Sequence, residues 1–223
     1  MPHTVQMRNT IRETWLNESY WESVGIDIHV VFIIGSVENT LADEVMTHGD
    51  ILQVNFTESH YMLPMKDVAY LNYIQEQCPE ADFVFKGDDD ILVVPENVAT
   101  MVEKMKVEKI PALGCIKEHE PVVRNPTSKY FVPPEIFEND KYSNYYSGAA
   151  YIVNGQLALE MAKRKQEVPL MPLDDCYIGS IIEHLGKELF HLVISRWRKR
   201  KEFFDGYGFV TLIKTSPMRM IAL

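Results

Sequence analysis

The sequence predicts an α/β fold, because short β-branched apolar runs alternate with longer segments whose apolar residues recur at helical spacing. The run His29-Val30-Val31-Phe32-Ile33-Ile34, closed by Gly35, is continuous rather than alternating, as in a strand buried on both faces. A second run, Phe83-Val84-Phe85, leads directly into the acidic triplet Asp88-Asp89-Asp90. With 223 residues, 46% of them hydrophobic, the chain can bury a full core, and one domain over 1–223 is expected.

The remaining elements follow in order. Leu41, Val45 and Met46 lie at helical spacing with Gly49 as the stop, and Ile51-Leu52-Gln53-Val54 begins another strand. Pro64 to Cys78 reads as a long helix ended by Pro79, with Val68, Leu71 and Ile74 facing inward. After the triplet, Pro95 opens a helix whose Val98, Met101, Val102 and Met105 share one face. Its methionines are core packing rather than a cofactor box. From Ile116 to Asn144 the chain is rich in Pro, Lys, Asn and Tyr without periodicity, which predicts a surface excursion. Tyr145 to Tyr151 returns to a strand, where Ser147-Gly148-Ala149-Ala150 permits close backbone approach. Its tyrosines are either a sugar-stacking surface or core aromatics. Finally, Asp174-Asp175 precede a helix with Ile178, Ile181, Ile182 and Leu185 on one face and Gly186 at its end.

Charge and cysteine usage narrow the function. A net charge of -10 argues against nucleic-acid binding, which needs a basic face. The basic run Arg196 to Lys201 reads as a solvated segment. No apolar stretch approaches the ~20 residues of a bilayer span. Cys78, Cys115 and Cys176 form no disulfide framework or metal-ligand spacing. Asn17-Glu18-Ser19 and Asn55-Phe56-Thr57 are glycosylation sequons, a weak pointer to a secretory route.

The acidic triplet carries the most chemistry. A strand ending in clustered carboxylates delivers hard oxygen ligands to the carboxyl edge of a sheet, where open α/β folds bind ligands and a divalent cation can grip a diphosphate. A solvated acidic turn is the plain alternative, but the apolar run Ile91-Leu92-Val93-Val94 on the far side argues for a held loop. For Asp174 and Asp175 the local reading is an N-cap and a first-turn carboxylate. In the functional reading one of them caps and its neighbour enters the cleft as a general base.

These motifs, in this order, resemble the beta-1,3-glycosyltransferase family, which includes the beta-1,3-galactosyltransferases and beta-1,3-N-acetylglucosaminyltransferases. The matching segments are Arg8-Asn9-Thr10-Ile11-Arg12-Glu13-Thr14-Trp15, Val31-Phe32-Ile33-Ile34-Gly35 and His48-Gly49-Asp50-Ile51-Leu52-Gln53 with Lys66 beyond. They continue with Cys78, Phe85-Lys86-Gly87-Asp88-Asp89-Asp90, Lys129-Tyr130, Tyr146-Ser147-Gly148, and Asp174-Asp175 with Gly179. The resemblance implies an inverting GT-A fold, an α/β/α sandwich around a mixed central sheet, here expected to lack the family's first strand. It implies a UDP-sugar donor, a glycan acceptor and a divalent cation, usually Mn2+.

By the same resemblance Asp175 is the catalytic base, Asp90 holds the metal, and Asp88 faces the ribose with Asp89 beside it. Arg8, Arg12 and Lys66 match the family's basic and structural positions near the nucleotide. The family's setting is the Golgi membrane, with a type II anchor outside this chain and a luminal catalytic domain. Ile213 stands where many relatives have a metal-approaching histidine, with His191 a candidate substitute, and Lys214-Thr215-Ser216-Pro217 resembles the closing segment. An inactive relative acting as a binding partner is the alternative from another class. A metal-dependent phosphotransferase or nuclease is a third, disfavoured by the lack of a P-loop pattern.

Overall fold

A computed structural model of the chain describes residues 5–36, 41–89, 91–192, 210–212 and 219–222. The helices are α1 (Val5–Glu13), α2 (Glu18–Ser23), α3 (Ala42–His48), α4 (Leu63–Gln77), α5 (Pro95–Glu108), α6 (Gly155–Arg164) and α7 (Asp174–His184). The strands are β1 (Val30–Ser36), β2 (Ile51–Thr57), β3 (Phe83–Asp88), β4 (Ile91–Val93), β5 (Ala112–Lys117), β6 (Tyr145–Asn154), β7 (Phe190–His191), β8 (Val210–Leu212) and β9 (Arg219–Ala222).

A mixed sheet of seven strands runs in the order β2-β1-β9-β3-β6-β5-β7, and β4 pairs with β8 in a separate two-stranded ladder. β1 and β2 are parallel. β9 lies antiparallel to both β1 and β3, joining the two halves of the sheet. β6 is antiparallel to β3 and β5, and β7 adds parallel to β5.

Both faces of the sheet are covered, which explains the continuous apolar runs. Val31, Ile33 and Val84 point into a core shared with Leu71 and Ile74 of α4, Met161 of α6 and Ile178 and Ile182 of α7. Phe32, Ile34 and Phe85 point the other way, against Ile11, Trp15 and Trp21 near α1 and α2 and Val98, Met101 and Met105 of α5. Period-2 alternation in strands that read as uniformly apolar thus feeds two cores. Tyr146 and Tyr151 belong to the first core, stacked at 5.6 Å between ring centroids.

The expected elements recur with shifted details. α3 ends at Gly49, whose φ of 68° is the left-handed stop the sequence signalled. Its Met46, however, is 86% exposed. The buried residue of α3 is Glu44, two positions away and so on the far side of the helix. The stretch 118–144 runs without a named helix or strand, apart from an isolated bridge between Pro121 and Lys141. Arg124 stitches it together, donating to the carbonyls of Val132, Phe137 and Asn139 at 2.7–2.8 Å. The three cysteines are free. The basic run 196–201, Ile213 and the segment 214–217 lie outside the described residues.

What Glu44 meets is the amino-terminal helix. Arg8, fully buried, donates through Nε to Glu44 at 2.6 Å and pairs with it through its terminal nitrogen as well. Arg12 reaches Glu44 at 2.9 Å and grips Asp50 with two bonds of 2.7 Å. Burial alone would raise the Glu44 carboxyl, but the two guanidinium groups hold it below the ordinary range. This cluster clamps α1 to α3 and to the start of β2. Removing one partner of a buried pair costs ~3–5 kcal/mol, with the lower end expected for Arg8→Ala because Glu44 keeps Arg12. Denaturant unfolding should show that loss as a lower midpoint at unchanged slope; an unchanged midpoint would contradict the clamp.

Candidate active site

The carboxyl end of β3 fixes one wall of the site. Lys86 and Asp88, two residues apart, share a face of the sheet, so the lysine lies under the rim that the aspartate forms. Lys86 is only 1% exposed, a costly position for an ammonium unless carboxylates meet it. Two do: its Nζ lies 2.8 Å from Asp67 on α4 and 3.4 Å from Asp174 on α7. The rings of Tyr70 and Tyr151, joined by a 2.9 Å hydroxyl contact, enclose the same cation. One buried charge therefore ties the amino-terminal ends of two helices beneath the strand end.

Those helix ends carry the cavity's other walls. In α4, Lys66 precedes Asp67 and points outward to Glu58 at 2.8 Å, while Glu58 also accepts from the Gly35 amide at 2.8 Å. Burial would raise Glu58, but the Gly35 amide and the lysine hold it below the usual carboxylate range. In α7, Asp175 follows Asp174 and accepts from the backbone amide of Gly148 at 3.0 Å. A cavity of about 380 Å³ opens over these groups, lined by Glu58, His60, Lys66, Asp88, Lys129, Tyr130, Tyr145, Asp174 and Asp175. That volume lies within the range of small-molecule sites.

Asp174 and Asp175 do not cap α7, as the local reading had it. The helix begins at Asp174 itself, and its N-cap is Leu173, which makes no side-chain cap bond. Both carboxylates are first-turn residues with tertiary partners. Burial raises the Asp175 carboxyl to about 7; Lys86 opposes the rise, Asp88 and Asp67 add to it, and the Gly148 amide offsets part of it. Tyr145 and Cys176, neighbours of this carboxylate, are raised chiefly by burial.

Of the residues singled out from sequence, Lys66, Asp88 and Asp175 meet at this one cavity. Asp89 is buried in the following turn, and Asp90 lies outside the described residues. Arg8 and Arg12 are not brought there, because their guanidinium groups are committed to Glu44 and Asp50; Arg12 lines a separate open groove. His191 sits on the edge strand β7 and accepts from the Ile116 amide at 3.2 Å, three strands from Asp88. Among the described residues no group of three His, Cys, Asp or Glu could alone hold a metal ion. Sequence reasoning missed the roles of Lys86, Asp67 and Glu58. Lys86 was detectable: a lysine two positions before Asp88 in an apolar strand demands a buried partner.

A cavity lined by Glu58, Asp88, Asp174 and Asp175 at the carboxyl end of β3 marks the ligand site of an open α/β protein. The comparisons make it more particular. The chain belongs to the family described as Galactosyltransferase, whose model matches residues 6–192. It is 30% identical to the rat UDP-GlcNAc:betaGal beta-1,3-N-acetylglucosaminyltransferase 7, over 80% of this chain and 48% of the relative. It is likewise 30% identical to a human acetylgalactosaminyl-O-glycosyl-glycoprotein beta-1,3-N-acetylglucosaminyltransferase, over 83% and 50%. A mouse N-acetyllactosaminide beta-1,3-N-acetylglucosaminyltransferase 2 is 31% identical over 83% and 49%. The chain thus spans about half the length of these curated relatives.

Gly148 supplies a sharp test of the site's geometry. A Cβ at that position would stand 2.3 Å from Asp175 Oδ1 and 2.9 Å from Oδ2, so Gly148→Ala must push the carboxylate away from its amide. Misplacement of a reacting group by about 1 Å costs on the order of 10² in rate. Such a fall in turnover, with a melting temperature close to wild type, is the expected result; wild-type turnover would show that Asp175 is not held for chemistry.

Proposed function

We propose that this chain is the catalytic part of an inverting glycosyltransferase. It moves a hexose or N-acetylhexosamine, that is galactose, GlcNAc or GalNAc, from a UDP-sugar to a glycan hydroxyl in beta-1,3 linkage. The observation that carries this reading is the placement of Asp175, seated on the Gly148 amide, and Asp88 on the walls of one cavity. Family membership and the beta-1,3-N-acetylglucosaminyltransferase relatives support the reaction class.

In the proposed reaction the acceptor oxygen bonds to the anomeric carbon as the bond from that carbon to the UDP oxygen breaks on the opposite face. The electron pair leaves with UDP, and the hydroxyl proton passes to Asp175. The base must therefore be ionised. Its raised carboxyl is matched to this task, because a base poised near neutrality accepts a proton more readily than an ordinary aspartate. Lys86 opposes the effect of burial and so favours the anion, and the Gly148 amide holds one oxygen of the carboxylate in place. Tyr145, Tyr130 and His60 supply ring surface at the cavity wall.

Asp88 on the β3 side and Asp174 and Asp175 on the α7 side face the cavity with carboxylates, the hard donors that suit a divalent cation, beside the buried Cys176 thiol. The described side chains do not complete a metal site unaided, and the diphosphate oxygens of the donor would complete the coordination with Asp90. When bound, Mn2+ or a similar ion offsets charge on the departing diphosphate. Asp88, with Asp89 behind it, is proposed to orient the ribose, and Lys66 to lie beside the nucleotide.

The family and the exposed sequons support a secretory, Golgi-lumenal setting with a type II membrane anchor outside this sequence. Among the described residues no helix is long and apolar enough to cross a membrane.

Calorimetry with UDP tests the donor side: binding should be much tighter with Mn2+ than with a chelator, and Asp88→Ala should weaken it. Metal-independent binding of equal strength would remove the donor-site assignment. For the base, Asp175→Asn should reduce transfer by ~10²–10⁴ with UDP affinity nearly unchanged. Because the base form is the anion, wild-type transfer should rise with pH through about 7 and fall about tenfold per unit below it. An Asp175→Asn variant of normal turnover, or a flat rate between pH 5 and 8, would end that assignment. A wild-type chain that binds UDP but transfers from no donor would favour a binding role.

A further inference from the structure

The sheet has two outer edges, and the fold protects them unequally. β7, at one edge, is a two-residue strand, too short to template another chain. β2, at the other, is seven residues long, Ile51-Leu52-Gln53-Val54-Asn55-Phe56-Thr57, and pairs with β1 along one side. Among the described residues no strand pairs with its outer side. Natural edges of this length are usually blunted by charge, proline or a bulge. The outer strand has neither charge nor proline, and its composition is that of a segment prone to add strands. The one register shift it shares with β1, between Gly35 and Ser36, leaves Asn55 and Phe56 of β2 out of the pairing, so the edge is broken near its carboxyl end and Ile51–Val54 remain as its regular part.

The flanking residues do not supply the missing charge. Asp50, just before the strand, is held by two bonds from Arg12, and Glu58, just after it, is paired with Lys66. Both carboxylates are neutralised on the protein's inner side. Along the strand, Leu52 and Val54 pack toward the core and Phe56 is buried, whereas Gln53, Asn55 and Thr57 are exposed. Asn55 and Thr57 are the first and third residues of a sequon, and the asparagine stands in the middle of the exposed row. The Asn55 side-chain oxygen accepts from the Ser36 hydroxyl at 3.2 Å, which turns its oxygen toward β1 and leaves the amide nitrogen as the group that can be modified.

We propose that Asn55 carries an N-linked glycan whose bulk guards the free edge of the sheet. The donor is a polyprenyl-diphosphate oligosaccharide of the secretory pathway. The Asn55 Nδ2 forms a bond to the sugar's anomeric carbon as the bond from that carbon to the diphosphate breaks. The electron pair leaves with the diphosphate, and the amide nitrogen gives up one proton to solvent. The glycan keeps the Asn55 carbonyl oxygen free for Ser36 and projects a hydrated chain from the exposed row. This goes beyond the reaction proposed above: it requires the secretory route but not sugar transfer.

The test uses the full chain, with a cleavable secretion leader, made in eukaryotic cells and collected from the medium. Glycosidase treatment and peptide mass analysis should find Asn55 modified. Asn55→Gln and Thr57→Val, which break the sequon from opposite ends, should each lose the same glycan. At equal concentration both variants should shift from monomer to larger species in light scattering. Adding a charge to the exposed row, Gln53→Lys in the Asn55→Gln background, should restore the monomer. An unmodified Asn55 in protein that reached the medium would overturn the proposal, as would a monomeric Asn55→Gln variant. Activity is not read in any arm, so an inactive enzyme with a modified Asn55 would sink the transferase reading alone.

Discussion

The structure turns on the need to satisfy one buried ammonium. Lys86 lies inside the protein at the end of the strand that bears the acidic triplet, and its charge cannot stay there without counter-ions. Asp67 and Asp174 provide them from two helices that are otherwise distant in sequence. Each partner is adjacent to a cavity residue: Asp67 follows Lys66, and Asp174 precedes Asp175. The ion cluster therefore works as a template, converting the placement of one strand into the placement of three walls. Replacing the cluster by apolar residues of like volume could preserve stability, but it would leave nothing to dictate where the amino-terminal ends of α4 and α7 stop.

Asp175 shows how the same cluster sets chemistry as well as shape. Its carboxylate is drawn in two directions, toward neutrality by burial and the nearby carboxylates Asp88 and Asp67, and toward ionisation by Lys86 and the Gly148 amide. Neither influence is local in sequence. The glycines at this seam are set by space rather than by dihedral angle. A Cβ on Gly179 would stand 2.5 Å from Tyr145 Cβ and 2.7 Å from the Asn144 carbonyl, so α7 rests directly on the start of β6. That contact brings the Gly148 amide within bonding distance of the helix's first turn.

Legibility in the sequence followed the range of the interactions. α5 could be read from its proline and the spacing of Val98, Met101 and Met105, and the stop of α3 from Gly49, because these signals act within one or two turns. The cluster Lys66, Asp88 and Asp175 was legible through motif order. The sequence does not show that Glu44 consumes Arg8 and Arg12, since an exposed arginine and one held by a distant carboxylate look alike in a linear chain. Asp174 and Asp175 read locally as an N-cap and a first-turn carboxylate for the same reason: the two positions differ by one residue and a backbone angle. On α3 the inward Leu41 and Val45 could be read from their spacing, but not Glu44 in place of Met46, because a buried glutamate there answers charges from another helix. Nor could the course of 118–144, which Arg124 organises through carbonyls 8 to 15 residues further on.

β9 has a consequence for the order of assembly. The strand that joins β1 to β3 comes from residues 219–222, so among the described strands the two halves of the main sheet meet only through β9, more than 100 residues beyond β3. During synthesis β1 with β2, and β3 with β6 and β5, can form as separate platforms, each with an inner rim of unpaired amides and carbonyls. Until β9 arrives, those rims are open to the wrong neighbours, and closure awaits a contact of long sequence separation, the kind that forms slowly. Closure of the sheet thus waits on β9, and a chain in which that strand has not yet docked exposes two unpaired rims of the kind that chaperones shield.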